Sequence, residues 1–360
     1  MRDNPTKERR SSRIDWNQEF SFELAICLWA EQNWPPSRDG SEKFLVGRQI
    51  GTKRRRWDTV LVKTTSEQLQ QRNKFGSQEF DQQQLHILKN APQTWAWYRE
   101  ALPEPEYPWR YIREEIHRLA NWGTIETRKQ SNKIEIRRKW EYPSWIDRIV
   151  AIENKPDLDA SAAKNLTAQL KHDIALGLAD EAWVATRVTE DETEPVLFAD
   201  LPVEAGAMTF NPSQMTAEVH WYPRQLAVDQ VGTRIKHLSD DQNKPTCEFS
   251  YASFEWKEQQ RAEIAERVYA RGWRSYIDIM QPDCKHFELQ EYSGGMLPDC
   301  KYYGPCQRSR KCKQSCKEFE PEPPQWRTQG WPISGGPGIR FQEILEQRRQ
   351  RSREHHSNDE

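Results

Sequence analysis

The chain has 360 residues, a net charge of −2 and 30% charged residues, and only 36% of its residues are apolar or aromatic. This length predicts two or three domains, and the low apolar fraction favours small cores joined by long surface segments. No window approaches the roughly 18 consecutive apolar residues of a membrane helix, which excludes a membrane-spanning protein. The first 19 residues hold no apolar run, so we expect no Sec-type signal peptide and a cytoplasmic location.

Hydrophobic spacing predicts alternating helices and strands after a polar start. The predicted elements are a helix over 20–31, strands over 43–50 and 57–63, helices near 78–89, 93–101 and 109–122, a hairpin over 124–140, a strand over 145–152, a helix from about 159, a strand over 182–188, a hairpin within 203–224 and a helix over 261–271. The strand, helix, strand order in the middle of this series predicts an α/β fold.

Two charged residues follow the most apolar predicted strand, Trp145–Ile152. Glu153 and Lys155 are two positions apart, so their side chains point to one face of the strand. A charged side chain that is buried there needs an oppositely charged partner or a bound metal, because an unpaired buried charge is costly. A carboxylate there could hold a divalent metal that activates water, while the lysine steadies the hydroxide or the scissile phosphate. A hard metal needs a second carboxylate. Asp147 lies about 20 Å back along the strand, whereas antiparallel pairing brings Asp58 opposite Glu153.

This order of elements and residues resembles the core of the PD-(D/E)xK nucleases. Arg56-Trp57-Asp58 stands at the Pro-Asp position of that family, without its proline, and Glu153-Asn154-Lys155 stands at its E-x-K position. Gln169 and Glu23 match a supporting glutamine and an acidic residue of some branches. The resemblance implies a restriction-endonuclease-like fold in which Asp58 and Glu153 hold Mg²⁺ or Mn²⁺, Lys155 positions the attacking water and Gln169 orients the site.

Two other interpretations of the same stretch stay open. In an ordinary α/β domain, Glu153 and Lys155 would form a salt bridge at the end of a strand. The stretch YPSWIDRIVAIENKPDLDASAAKNL, with FEPEPPQWRTQGWPISGGPG near the C-terminus, also resembles an uncharacterised protein family of haloarchaea. That second resemblance implies no established activity.

The segment 64–144 separates Asp58 from Glu153 by 95 positions, a gap that an inserted domain explains. Its three short helices and hairpin resemble a winged helix-turn-helix. The hairpin over 124–140 has six basic and two acidic residues, a local charge of +4, and such cations contact DNA phosphates. The predicted DNA-binding residues are Arg128, Lys129, Lys133, Arg137, Arg138 and Lys139. The alternative is a protein-binding winged helix with solvated charges.

Five of the seven cysteines lie between 284 and 316. In a reducing compartment such a cluster indicates metal more often than disulfides, and the Cys312–Cys316 spacing fits zinc chelation. We predict a structural site for Zn²⁺ or an iron–sulfur cluster. Its predicted ligands are Cys284, Cys300, Cys312 and Cys316, with Cys306 spare. Some PD-(D/E)xK exonucleases hold a 4Fe–4S cluster with one cysteine before the core, which implies Cys27 as an alternative ligand; otherwise Cys27 is a buried hydrophobe.

These features together predict a DNA-binding protein that hydrolyses phosphodiester bonds with a divalent metal, in DNA repair or defence. The alternatives are a non-catalytic DNA-binding regulator and a structural scaffold without a nucleic-acid role. The predicted segments are a disordered start at 1–13, a nuclease-like core in two parts at 14–63 and 145–225, the inserted winged helix at 64–144, a Cys-rich metal-binding module at 226–338 and a basic tail at 339–360.

Overall fold

The computed structural model of the chain describes residues 19–36, 43–52, 55–158, 160–188, 199–238, 247–274, 284–292, 295–305, 312 and 316–320. The helices are α1 (Glu19–Asn33), α2 (Ser66–Asn73), α3 (Gln82–Asn90), α4 (Tyr98–Ala101), α5 (Trp109–Asn121), α6 (Ala160–Leu176) and α7 (Phe254–Arg271). The strands are β1 (Lys43–Gly51), β2 (Arg56–Thr64), β3 (Ala96–Trp97), β4 (Ile125–Gln130), β5 (Lys133–Arg138), β6 (Arg148–Lys155), β7 (Glu181–Arg187), β8 (Gly206–Asn211), β9 (Thr216–Trp221), β10 (Gly232–Leu238), β11 (Cys247–Ala252), β12 (Phe287–Tyr292), β13 (Gly295–Cys300) and β14 (Gly304–Pro305). The mixed α/β class that the sequence predicts is confirmed. None of the described helices combines the length and apolar character that a membrane crossing needs.

A six-stranded mixed sheet in the order β1-β2-β6-β7-β8-β9 forms the centre of the structure. Strand β2 pairs antiparallel with both β1 and β6, whereas β7 runs parallel to β6 and β8 parallel to β7. In the β2–β6 ladder Thr59 pairs with Ile152, so the predicted antiparallel pairing of these two strands is confirmed. The chain therefore passes through helix, strand, strand, strand, helix, strand in α1, β1, β2, β6, α6 and β7.

Helices cover both faces of this sheet. On one face every residue of α1 from Phe20 to Ala30 is buried, as expected for a helix that is apolar on all sides. The sheet covers one side of α1, and Phe287 and Leu297 of the C-terminal hairpin belong to the same apolar cluster. On the other face α7 packs through Val268 against β1 and β2, and α6 packs through Leu166 against β7 and β8.

The segment between β2 and β6 has its own small core. Its elements follow the order α2, α3, β3, α4, α5, β4, β5, and β3 pairs with β5, which pairs with β4. The predicted hairpin is confirmed, as is the helix that ends before Gly123, whose φ is +72°. The helix predicted near 93–101 is shorter, because β3 takes up its first part. The sequence did not predict α2, which Thr65 begins with a capping box to Gln68.

A buried ion pair attaches this inserted segment to the core. Arg72 of α2 and Glu266 of α7 are both fully buried, and Arg72 Nε donates to Glu266 Oε1 at 2.8 Å. Tyr142 donates its hydroxyl to the same oxygen at 2.6 Å, and Trp145 Nε1 lies 3.1 Å from it. The carboxylate of Glu266 therefore has a full set of donors, which is the condition for burying a charge at an acceptable cost.

The C-terminal part does not separate cleanly from the core. Helix α7 begins at Phe254, earlier than predicted, because Ser253 caps it by accepting from the Trp256 N–H at 3.3 Å. Although α7 falls within the predicted 226–338 module, it packs on the central sheet. The predicted disordered start, the basic tail and Cys306 lie outside the described residues.

Candidate active site

Four carboxylates from four elements meet around the end of β6. They are Glu23 of α1, Asp58 of β2, Glu153 of β6 and Asp173 of α6. Glu23, Glu153 and Asp173 have no more than 5% of their surface exposed, and Asp58 is half-buried. The β2–β6 pairing brings the two predicted metal-binding residues together: the Asn154 N–H, next to Glu153, donates to Asp58 Oδ2 at 2.9 Å.

Gln49 joins two of these carboxylates. Its Nε2 donates to Glu23 Oε1 and to Asp58 Oδ1, both at 2.9 Å. Gln49 has a φ of +55°, a left-handed conformation that residues other than glycine adopt rarely and at a cost. It faces Asp58 across the β1–β2 ladder, between the pairs Arg48–Thr59 and Ile50–Trp57. The sheet thus holds an unfavourable backbone conformation where the side chain must reach both carboxylates.

Two arginines partly neutralise the cluster. Arg48 Nη1 lies 2.8 Å from Glu23 Oε2. Arg55, just before β2, donates from Nη2 to Glu153 Oε1 at 2.6 Å and makes a two-pronged contact with Asp173 at 2.7 Å. Burial acts to lower the pKa of Arg55, but its bonds to Asp173 and Glu153 outweigh burial and raise it. Two guanidinium groups against four carboxylates leave an excess of negative charge.

Burial and the neighbouring carboxylates together raise the pKa of the two buried glutamates. Burial, reinforced by the charge of Asp58, raises the pKa of Glu153 from 4.5 to about 8, against the opposing effect of Arg55. Burial also raises the pKa of Glu23 from 4.5 to about 7, against Arg48 and with Asp58 adding to the rise. Near neutral pH the cluster therefore favours an added positive charge, which a proton or a metal ion can supply.

The other two predicted catalytic residues, Lys155 and Gln169, differ in their position relative to this cluster. Lys155 is on the same face of β6 as Glu153, is partly exposed, and its charge acts to lower the pKa of Glu153. Gln169 is exposed on α6. One turn later on the same helix, Asp173 contacts Arg55 directly. The sequence analysis did not identify Asp173. The signal that could have identified it is its position one turn after Leu170, which places a carboxylate on the apolar side of α6.

The donor set of the cluster suits a hard cation, since carboxylate oxygens are the ligands that Mg²⁺ and Mn²⁺ prefer. Across the described residues, no three His, Cys, Asp or Glu side chains are arranged as a finished metal site. The reason is local: Arg55 lies against Glu153, and the Gln49 amide lies between Glu23 and Asp58. For Asp58 and Glu153 to share an ion, Arg55 must turn away from Glu153.

The opposite face of the same strands is apolar and closed. Asn154 donates from Nδ2 to Thr59 Oγ1 at 3.0 Å, and Thr59 in turn contacts Cys27 Sγ at 3.4 Å. Complete burial raises the pKa of Cys27 to about 12, so its thiol stays protonated. Cys27 is thus positioned as a small core residue against the sheet.

The predicted DNA-binding hairpin β4–β5 carries paired cations. The pairs are Arg128–Glu135, Arg137–Glu126, Lys133–Glu100 and Arg138–Glu141. Arg128 and Arg137 also lie over the ring of Trp95, at 4.6 and 4.8 Å from its centre. Lys129 is exposed. Exposed pairs of this kind contribute little free energy, so a phosphate can replace the glutamate partner at small cost.

Helix α5 presents a second cationic surface beside this hairpin. Ile112, Ile116 and Leu119 face the small core. The exposed residues on its outer side are Arg110, Tyr111, Arg113, Glu114, His117, Arg118 and Asn121. Of these, Arg118 pairs with Glu115 at 2.8 Å. Apart from Glu114, the side chains that face outward are donors suited to base edges and phosphates.

Three of the four predicted metal-binding cysteines lie at one end of the β12–β13 hairpin. Cys284 begins a tight turn in which the Phe287 N–H donates to Cys284 O at 3.0 Å, and Cys300 pairs with Phe287. Cys316 begins a similar turn, closed by a bond from Phe319 at 3.1 Å. A backbone bond from Lys285 to Glu320 O, at 2.7 Å, attaches that second turn to the first. Within the described part of the chain, Cys284, Cys300, Cys312 and Cys316 form no disulfide.

A family of unknown function, DUF5787, matches residues 45–321, and the chain belongs to this family. The matched range begins in β1 and includes Asp58, Glu153, Asp173 and the cysteine-containing segment, whereas Glu23 precedes it. No curated protein and no solved structure matches the chain.

Proposed function

We propose that this member of the DUF5787 family is a DNA-binding protein that hydrolyses phosphodiester bonds with Mg²⁺ or Mn²⁺. The observation that carries the proposal is the meeting of four carboxylates at the end of β6, where Gln49 and the Asn154 N–H hold Asp58 beside the buried Glu153. The element order α1, β1, β2, β6, α6, β7 supports the proposal, since it follows the PD-(D/E)xK pattern that the sequence motifs resemble.

Asp58 and Glu153 are the proposed metal ligands. A bound divalent ion supplies a hydroxide from water at neutral pH and stabilises charge on the phosphoryl oxygens. Gln49 and the Asn154 N–H hold Asp58 in place through bonds of 2.9 Å. Lys155, on the same face as Glu153, is the proposed contact to the scissile phosphate, where its ammonium would stabilise the charge that develops.

Asp173 and Arg55 are proposed positioning residues. Because Arg55 contacts Asp173 through two nitrogens and Glu153 through one, it can leave Glu153 while staying attached to α6. In that position its guanidinium can receive a phosphate oxygen of the substrate. Gln169, one turn earlier on α6 and exposed, is proposed to contact the substrate side of the site.

The inserted segment is the proposed DNA-binding domain. The order α3, β3, α4, α5, β4, β5, with β3 paired to β5, supports a winged helix-turn-helix. In such domains the last helix enters the major groove and the hairpin contacts the phosphates. The exposed cations of α5 and the charge of +4 over 124–140 are consistent with these two roles.

A structural metal is proposed for the cysteine segment. Two turns of the form Cys-Lys-x-Phe, at Cys284 and Cys316, meet beside Cys300. Thiolates at such turns suit Zn²⁺ or an iron–sulfur cluster, and the lysine after each cysteine would offset thiolate charge. Cys312 is the proposed fourth ligand.

The test of the function is cleavage of single-stranded, duplex and branched DNA with Mg²⁺ or Mn²⁺. Wild-type protein is expected to cut at least one substrate, and Asp58→Asn, Glu153→Gln and Lys155→Met are each expected to abolish cutting while DNA binding persists. Asp147→Asn is the matched control, because Asp147 lies just before β6 and pairs at the surface with Lys63. Equal cutting by the control and by the Glu153 variant would contradict the assignment.

A non-catalytic DNA-binding regulator is the second candidate, and one observation favours it. Arg55 already satisfies Glu153 and Asp173 through contacts of 2.6 and 2.7 Å, an arrangement that a purely structural cluster would also use. DNA binding with no cleavage by the wild-type protein, under either metal and on all three substrates, would select this candidate.

A further inference from the structure

A cleft opens between the central domain and the inserted segment, on the side of Arg55. Its volume is about 510 Å³, within the range of pockets that hold a small ligand. We refer to it as the arginine cleft. Its walls include Arg55, Arg234 of β10, Arg267 and Trp256 of α7, and Tyr107 of the inserted segment. Both domains therefore contribute to it.

Three arginines and two carboxylates, Asp81 and Glu263, line the arginine cleft, which leaves a small excess of positive charge that favours an anion. Asp81 caps α3 by accepting from the Gln83 N–H at 3.0 Å and the Gln84 N–H at 2.9 Å. Glu263 pairs with Arg267. Arg234 donates from Nε to Ser250 Oγ at 3.0 Å, and within the described residues it has no carboxylate partner. Its terminal nitrogens are thus available to a ligand.

The cleft also has an aromatic wall. The guanidinium of Arg234 lies 5.0 Å from the ring centre of Trp256, and both side chains are partly exposed. Tyr107 lines the same space from the inserted segment. Sites for unpaired nucleic acid combine aromatic rings that stack on bases with cations that follow the phosphates, and the arginine cleft has both.

The arginine cleft adjoins the carboxylate cluster, because Arg55 belongs to both. Arg55 lines the cleft and at the same time contacts Glu153 and Asp173. A phosphate bound at Arg55 would therefore lie beside Glu153, one of the two proposed metal ligands, so a strand in the cleft would lead to the proposed reactive centre.

We infer that the arginine cleft binds one unpaired nucleotide of a DNA strand, with its phosphate against Arg234 and its base against Trp256. This inference rests on the proposed function and extends it to the form of the substrate. A space of about 510 Å³ is sufficient for a single nucleotide, and a base that stacks on Trp256 cannot be paired at the same time. The strand is consequently single-stranded or opened where it enters the site.

The test is photo-crosslinking with a short single-stranded oligonucleotide that carries 5-iododeoxyuridine, without added divalent metal so that it stays intact. The attached residue is identified by mass spectrometry of the full-length protein. Attachment to Trp256 or Tyr107 is the expected result. Attachment only to Trp95 or Trp97, which lie beside the β4–β5 hairpin, would overturn the cleft while DNA binding by that hairpin stands.

Three variants and a competition experiment test the assignment further. Arg234→Ala is expected to lower the yield of this crosslink and the affinity for single strands by at least about fivefold, a loss typical of one charge-assisted contact. Trp256→Phe keeps a ring and should retain the affinity. Arg224→Ala, an exposed arginine after β9, removes the same charge elsewhere and should change neither. If blunt duplex DNA competed with the crosslinked oligonucleotide as well as single-stranded DNA does, the inference of an unpaired nucleotide would be refuted.

The experiments distinguish an incorrect assignment of the cleft from an incorrect proposed function. Metal-dependent cleavage that Arg234→Ala leaves unchanged would overturn the cleft alone. Absence of binding to any DNA would overturn the cleft and the proposed function together.

Discussion

Replacing Glu153 with glutamine is expected to stabilise the protein at alkaline pH. Burial and the charge of Asp58 raise the pKa of Glu153 from 4.5 to about 8, so between these values the folded state binds more protons than the unfolded state. Stability from this group is then fully present at low pH and is lost as the pH rises toward 8. Glutamine imitates the protonated carboxyl and does not titrate, so the variant avoids this loss.

The magnitude follows from the pKa. Between pH 5.5 and pH 8, about 2.5 pH units, Glu153 of the wild type is protonated in the folded state and ionised in the unfolded state. Each pH unit lowers the wild-type free energy of unfolding by about 1.4 kcal/mol, so over this range the variant should gain about 3 kcal/mol of stability relative to wild type. Urea unfolding at pH 5.5 and pH 9, without divalent metal, measures this difference. Asp147→Asn, at an exposed pair with Lys63, should shift by less than about 0.5 kcal/mol at both pH values.

A loss of stability in Glu153→Gln that is equal at pH 5.5 and pH 9 would refute this reasoning. It would mean that Glu153 is ionised throughout and that its contact with Arg55, at 2.6 Å, stabilises the fold as an ordinary ion pair.

Three further results are expected. Replacing Arg137, Arg138 and Lys139 with alanine should weaken DNA binding alike across sequences, and each lost phosphate contact should reduce the log–log salt slope by about 0.9; an unchanged slope in fluorescence anisotropy would place the hairpin away from DNA. Arg72→Met should cost about 3–5 kcal/mol in urea unfolding, because it leaves the charge of Glu266 buried without a partner, and a much smaller cost would show that water reaches this carboxylate. Elemental analysis of protein purified without oxygen should find about one zinc per chain, or iron and sulfide in a brown protein; neither metal, with all cysteines titratable in the folded state, would contradict the proposed structural site.

The part of the site that follows from strand pairing was predictable. Side chains alternate with a period of two along a strand, so Glu153 and Lys155 had to share a face. The antiparallel pairing of β2 with β6 then brought Asp58 beside Glu153. Local sequence is enough for this step, because the apolar run of β6 identifies it as a central strand.

The contacts that arrive from distant elements were not predictable in the same way. Arg55 meets Asp173 across 118 positions of sequence, and no local pattern encodes that approach. The left-handed φ of Gln49 is likewise held by tertiary contacts rather than by residue preference. Helix α2 escaped prediction because its polar sequence lacks an apolar stripe, and the buried pair of Arg72 with Glu266 holds it instead.

Diffraction from a crystal soaked in Mn²⁺, measured with anomalous scattering, tests the central claim most directly. The account predicts a peak within about 2.6 Å of carboxylate oxygens of both Asp58 and Glu153, with Arg55 turned away from Glu153. A peak that is missing at this position, with Arg55 still bonded to both Glu153 and Asp173, would contradict a catalytic metal at the end of β6.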